Sequence, residues 1–355
     1  MGKVEVISAA ALPESLIQRW LQIQQSSTEL RHPMLSAAFI QCVARHRTDV
    51  QVAVIESADK VIGLFPFQRG RGTVGYPAAY RLNDYQAGVF APDAEINAVE
   101  LLRGCGLSAW HFDHLITSQK CFAAGHSLYD NAPYIDLSQG FEAYRSIASG
   151  SSRWKSTLRK GRNLEREIGP VRFEFHTDEF EPYRTLIDWK SSQVRQNRKR
   201  CVFDWPWVQE SLEELRVTEN EACAGTLSTL YAGEHLVAAH LGLSSQEVLH
   251  WWITAYDPTF SKYSPGAVLL VRLIEEAARR GLQRIDLGKG DEPYKATFQS
   301  GARPLASGAI CTSNWNGLFQ RTSCLLKERI RTSPVAAPAK AMAYWLEARI
   351  NRAKK

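Results

Sequence analysis

Three short stretches in the second half of the chain carry residues whose types and spacing could do chemistry. The first is a hairpin. Two strand-like runs, His235–Ser244 and Glu247–Tyr256, meet at a turn over Ser244-Ser245-Gln246, which sets His240 opposite His250, Ala238 opposite Trp252 and Gly242 opposite Val248. With side chains alternating, one face then carries His240, His250, Trp252, Thr254 and Tyr256, and the other carries Leu241, Leu243, Leu249, Trp251 and Ile253. The apolar face reads as core. The polar face reads either as a cleft lining, with two histidines suited to proton transfer near neutral pH, or as half-buried histidines bonded to backbone. A zinc pair is disfavoured, because no third ligand of suitable type lies close in sequence.

The second stretch is Lys262-Tyr263-Ser264-Pro265-Gly266-Ala267, between a strand and a helix. Ser264 suits an N-cap and Pro265 the first helical position, where its missing N–H is not needed. Gly266 and Ala267 leave the first turn bare of large side chains. Free amides at the positive end of a helix suit a pyrophosphate, although an ordinary capped helix has the same signature. The third stretch runs from Arg284 to Lys295. A strand ends in Asp286, a turn follows over Gly288, Lys289, Gly290 and Asp291, and a short helix presents Tyr294 and Lys295. Acidic and phenolic groups at the carboxyl end of a strand are common site placements in α/β proteins, and a solvated loop is the alternative.

The elements that must position these groups follow from periodicity and turn residues. Helices are expected over 14–29 and 36–45, a hairpin over 50–56 and 61–67, a helix over 93–105 and a strand over 109–115. A segment over 133–150 then leads to a similar order. It comprises a basic helix over 151–168, a strand over 171–176, a helix over 179–197 and three strands over 225–231, 235–244 and 247–256. A helix over 264–280, a strand over 284–287 and a short helix over 293–299 complete it. Beyond Ile310 the chain reads as helical and basic, either packed on the domain or resting weakly on an anionic membrane surface.

At 355 residues the chain suits two domains, and its 45% hydrophobic and 23% charged residues are those of an ordinary globular protein. The net charge of +6 is modest, but Lys and Arg gather in 153–166, in 190–200 and after 327. Such clusters suit solvated helix faces or an anionic partner. Seven scattered Cys without a C-x-x-C pair argue against a disulfide framework. No signal peptide or membrane-spanning run is visible, so a soluble cytoplasmic protein is expected.

Taken together, the strings A-A-H-L-G-L, H-W-W, A-Y-D-P, Y-S-P-G, I-D-L-G-K-G and Y-K resemble the GNAT acyltransferases of the cellulose-biosynthesis-associated (CelD-like) branch, over about residues 150–310. That branch is similar to the Fem-type aminoacyltransferases in having tandem GNAT-like domains. The resemblance implies an α/β fold, each domain a central mixed sheet flanked by helices. It divides the chain into a degenerate GNAT-like domain over 1–137, the acyltransferase domain over 138–312 and a basic helical tail over 313–355. The activity implied is N-acyl transfer to an amine, from acetyl-CoA or another acyl-CoA, or from an acyl carrier protein, without a metal. A small-molecule or glycan amine, such as an amino sugar or exopolysaccharide precursor, is the implied acceptor. Fem-type relatives use charged tRNA instead, and a non-catalytic module of polysaccharide assembly is the third reading; DNA is not an expected partner. By position, Lys262, Tyr263, Ser264, Gly266 and Ala267 would bind the donor, although only the last glycine of the family's phosphate-binding turn survives, as Gly266. His240 would be the base, with His250 as neighbour or substitute, and Tyr294 the acid. Trp252, Tyr256, Asp286 and Lys295 would bind or orient substrate.

Overall fold

The computed structural model describes residues 2–197, 201–290 and 292–313. Its strands are β1 (Lys3–Ser8), β2 (Val50–Ser57), β3 (Lys60–Arg69), β4 (Val74–Pro77), β5 (Val89–Phe90), β6 (Ala109–Ile116), β7 (His126–Asp136), β8 (Val171–Glu174), β9 (Ala224–Ala232), β10 (His235–Ser244), β11 (Val248–Tyr256), β12 (Arg284–Asp286) and β13 (Gly301–Cys311). Its helices are α1 (Glu14–Gln25), α2 (Ala37–His46), α3 (Ala98–Gly104), α4 (Gly140–Ala148), α5 (Ser152–Glu167), α6 (Phe180–Gln196), α7 (Pro206–Arg216), α8 (Pro265–Arg279) and α9 (Lys295–Phe298).

Local chemistry sets several boundaries. Ser36 Oγ accepts the Phe39 amide and starts α2. Ala58 and Asp59 both take left-handed φ values, 48° and 59°, as a two-residue turn matched to strand twist requires. Asn97 Oδ1 accepts the amides of Val99 and Glu100, so α3 starts five residues later than its apolar pattern predicts.

All the strands join one mixed sheet, ordered β1-β2-β3-β4-β6-β13-β7-β12-β11-β10-β9-β8, with β5 beside β3. Each half has an antiparallel meander that ends in a parallel pair: β4 with β6, and β11 with β12. The last strand of each half is exchanged. β7 follows β6 in sequence but pairs with β12, whereas β13 follows β12 and pairs with β6; β7 and β13 then pair with each other. The fold is therefore mixed α/β, with two similar halves fused through their centre.

Helices cover both sides of the second half. Leu186 of α6 and Leu212 of α7 pack with Leu227, Leu241, Leu243 and Ile253 on one face. Trp154 of α5 and Leu269, Leu270 and Leu273 of α8 pack with Leu249, Trp251 and Ile285 on the other. Burying each such side chain stabilises the fold by about 1.5–3 kcal/mol. The two faces separate what approaches β11 from the α5–α8 side and what approaches from the first half. Residues 314–355 of the expected basic tail lie outside the described residues, as do 198–200 of the second basic run and Asp291. No described helix is long and apolar enough to cross a membrane.

Candidate functional site

The hairpin forms, but not in the expected register. His240 faces Thr254 and Leu241 faces Ile253; across Gly242 the pairing changes, and Leu243 faces His250. Trp251 and Trp252 thus stand opposite the single residue Gly242, which is a β-bulge. The extra residue reverses the alternation along β11, so His240 and His250 leave the common face that strict alternation gives them. His240 stacks on Trp251, rings 4.1 Å apart and 14° from parallel. His250 lies on the opposite side, its ring edge-on to His32 at 4.9 Å. Trp252 joins the core face beneath α6 and α7, while Tyr256 packs towards α8. The bulge needs glycine at 242: a Cβ there would lie 2.5 Å from His240 Cε1 and 2.6 Å from the His250 carbonyl oxygen.

His240 is fully buried, and its Nε2 accepts the Trp252 amide at 3.3 Å. Burial, reinforced by His250, pulls its pKa down to about 3, so it is a neutral ring that holds the bulge.

Beyond the bulge the sheet splits. β11 pairs with β12 only from Val248 to His250, against Arg284 to Asp286, and then runs on to Tyr256 without it. On the α5–α8 side of the split lies a groove of about 200 Å³, lined by Arg153, Lys160, Ser264, Ala267 and Tyr294 among others. Ser264 has left-handed backbone, φ 51° and ψ 54°, and does not cap α8 as its type predicts. Its hydroxyl instead takes the Lys160 ammonium at 2.7 Å. Pro265 does occupy the first helical turn, and the amides of Ala267 and Val268 turn back to the Ser264 carbonyl. Gly266 stands against Tyr256, 3.6 Å from where a Cβ would sit. Tyr263 is buried and donates to Glu167 Oε2 at 2.7 Å, and Lys262 pairs with the same carboxylate at 3.3 Å. These two residues fasten the α8 turn to α5 rather than line the groove. Burial pushes the Tyr294 phenol up to about 12, so it keeps its proton at neutral pH.

The other side of the split is built by both halves. His250 is buried, and its Nε2 lies 3.6 Å from Asp84 Oδ2. Asp286, its register neighbour on β12, accepts from Arg284 Nε at 3.1 Å and places Oδ2 3.6 Å from His32 Nε2. His32 stacks on Tyr85 at 4.1 Å, and its Nδ1 accepts the Met34 amide, which leaves the proton on Nε2, facing Asp286. Burial, then the neighbouring His250, Arg284 and Arg303, hold His32 well below its ordinary pKa. Asp84 is held below the usual carboxylate range: burial pushes it up, but the nearby His250 ring and the charges of His114 and Lys295 outweigh that. Lys295 is nearly buried. Its ammonium donates to the carbonyls of Gly288 and Lys289 and pairs with Glu292 at 2.9 Å. It braces the turn in which Gly288, φ 71°, lies against His250. Among the described residues no group of three or more His, Cys, Asp or Glu is placed to hold a metal ion.

Sequence reasoning missed His32, Asp84, Tyr85 and Lys160 as site residues. The first three sit in non-periodic stretches of the first half, and Lys160 is one of many cations in a basic run.

Residues 151–296 match the family model described as the acetyltransferase (GNAT) domain. Similar solved structures span nearly the whole chain. The C-terminal domain of a putative lysylphosphatidylglycerol synthetase from Agrobacterium fabrum is 12% identical, with 86% of this chain and 95% of that one covered at a TM-score of 0.54. FemX is 9% identical, with 89% and 99% covered at 0.57. A tandem GNAT protein from the clavulanic acid biosynthesis pathway is 10% identical, with 88% and 99% covered at 0.52. At these identities the likeness is one of fold, and it extends over both halves. No curated protein matches the chain in sequence.

Proposed function

We propose that the chain transfers an acyl group from a thioester to an amine at the split between β11 and β12. The observation that carries this reading is the pair of unlike groups on the two sides of the split: a protonated phenol, Tyr294, in a cationic groove, and an imidazole, His250, beside a carboxylate. The thioester arm lies along α5 and α8, with Arg153 and Lys160 near its phosphate, and the acceptor comes from the side of the first half. Holding the two reactants in line supplies much of the rate. A backbone amide of β11 faces the developing oxyanion. His250 is the better base, because the His240 Nε2 lone pair already accepts a backbone amide and its ring resists protonation. Tyr294 returns a proton to the leaving thiolate. His240, Trp252 and Tyr256 shape the cleft, and Asp286 and Lys295 orient it.

The donor is acetyl-CoA, another acyl-CoA or an acylated carrier protein. The acceptor that the sequence resemblance favours is an amino sugar or another exopolysaccharide precursor. The exposed cations of α5 suit charged tRNA as well, which is the Fem-type alternative. Thiol release from acetyl-CoA, longer acyl-CoAs and acetylated carrier protein, with and without glucosamine or ethanolamine, tests the proposal. Amine-dependent release with a product heavier by the acyl group supports it; no amine-dependent release from any thioester refutes it.

A further inference from the structure

We infer that the first half of the chain supplies the route by which the reaction's proton leaves, running from His250 to Asp84, whose carboxylate opens to water. The inference rests on the acyltransfer reading above and adds residues to it. Acylation of an ammonium releases one proton per turnover. The ammonium gives that proton to His250 Nδ1, and the freed nitrogen lone pair forms the C–N bond at the thioester carbon. The C–S bond breaks, the thiolate takes the Tyr294 proton, and the phenolate recovers one from the new amide nitrogen. The proton left on His250 must then reach water from a ring with no exposed surface.

Geometry gives it one way out. Neither ring nitrogen of His250 has a hydrogen-bond partner; Nε2 lies 3.6 Å from Asp84 Oδ2, which leaves Nδ1 as the nitrogen for the amine. The other Asp84 oxygen lies 4.0 Å from His114 Nε2, and His114 Nδ1 is bonded to Asp113 Oδ1 at 3.0 Å. Exposure rises from 1% for the His250 side chain to 37% for Asp84, whereas His114 behind it is only 21% exposed. The remaining neighbours of His250 do not offer an exit. His240 and His32 are buried and held neutral, and Asp286 is buried between Arg284 and His32. Among the cations nearby, Lys295 is tied to the glycine turn and Arg303 to Tyr85. Asp84 is thus a relay residue that acts through His250, and it comes from the half that carries no part of the GNAT-domain match.

Two measurements on the full chain test the route. In the first, thiol release is followed with acetyl-CoA and two surrogate amines: ethanolamine, an ammonium at pH 7, and hydroxylamine, already neutral there. Asp84→Asn should lower kcat for ethanolamine by ~10²-fold, with KM changed less than about threefold. It should leave hydroxylamine nearly unaffected, and Asp84→Glu should recover most of the loss. Equal losses for both amines, or no loss for either, overturn the relay. If the native chain turns over neither amine, it is the acyltransfer reading that fails, and the second measurement still decides the relay. There, exchange of the His250 ring N–H proton with water is followed by NMR at pH 7, assigned by difference with His250→Gln. Exchange should slow by ~10-fold or more in Asp84→Asn and stay near native in Asp84→Glu. An unchanged exchange rate contradicts the route.

Discussion

Gly242→Ala is the sharpest probe of the bulge that separates the two histidines. The added methyl would meet His240 Cε1 at 2.5 Å, the His250 carbonyl oxygen at 2.6 Å and His240 Nε2 at 2.8 Å, all under the 3.0 Å that real Cβ contacts respect. The His240 ring has no room to turn away, because it is stacked on Trp251 and bonded to the Trp252 amide. The carbonyl belongs to the residue where β11 leaves β12, so moving it opens the bulge. Overpacking of this kind costs about 1–3 kcal/mol. For a chain of this size that lowers Tm by roughly 1–4 °C. Differential scanning calorimetry of Gly242→Ala measures this, with Gly266→Ala as control, whose methyl would make only an ordinary 3.6 Å contact with Tyr256. A Gly242→Ala Tm within about 0.5 °C of native would refute the bulge as described.

Other outcomes follow from the same site. Tyr294→Phe should lower kcat by ~10²-fold with little change in KM, in the amine-dependent thiol-release assay. In the native chain, with the phenol near 12, Tyr294 should cause no fall in activity as pH rises from 7 to 10. Acid should destabilise the fold through its buried rings. His240 drops from an ordinary 6.5 to about 3, so its contribution is intact above pH 6.5 and is lost as pH falls towards 3. Its share is about 1.4 kcal/mol per pH unit, and urea midpoints between pH 7 and 4 should show a shallower fall in His240→Gln.

Much of the fold was legible. The helices α1, α2, α5, α6 and α8 and the strands β2, β3 and β9 to β11 follow from apolar period and cap residues. Strands β7 and β13 were not legible. His126–Asp136 contains Asp130-Asn131 and Pro133, and Gly301–Cys311 is mostly small residues with Pro304, all poor strand formers. They extend because each is paired on both sides at the centre of the sheet. The register error has two causes: the turn is longer than the expected three residues, with Ser244 facing Leu249, and the bulge adds one more residue without breaking the alternation on either side of it. The donor side was partly readable, because Ser264 and Ala267 fall in one stretch singled out by residue type and Tyr294 in another, and the three come together in space. The acceptor side was not, because His32 and Asp84 reach His250 only through the pairing of the two halves. Their one sequence trace is polar: Asn83-Asp84-Tyr85-Gln86 is a polar run amid apolar residues, and three of the four are buried.

Donor binding tests the central claim most directly. The melting temperature of the full chain is measured with acetyl-CoA, longer acyl-CoAs and desulfo-CoA, and again for Arg153→Ala and Lys160→Ala. A ligand that binds only the folded chain stabilises it by about 2.7 kcal/mol at a hundredfold excess over Kd. The account predicts a clear rise with at least one of these thioester-type ligands, and its loss or marked reduction in both variants. A native chain that none of them stabilises, or a rise untouched by losing Arg153 and Lys160, would contradict a CoA donor held in the α5–α8 groove.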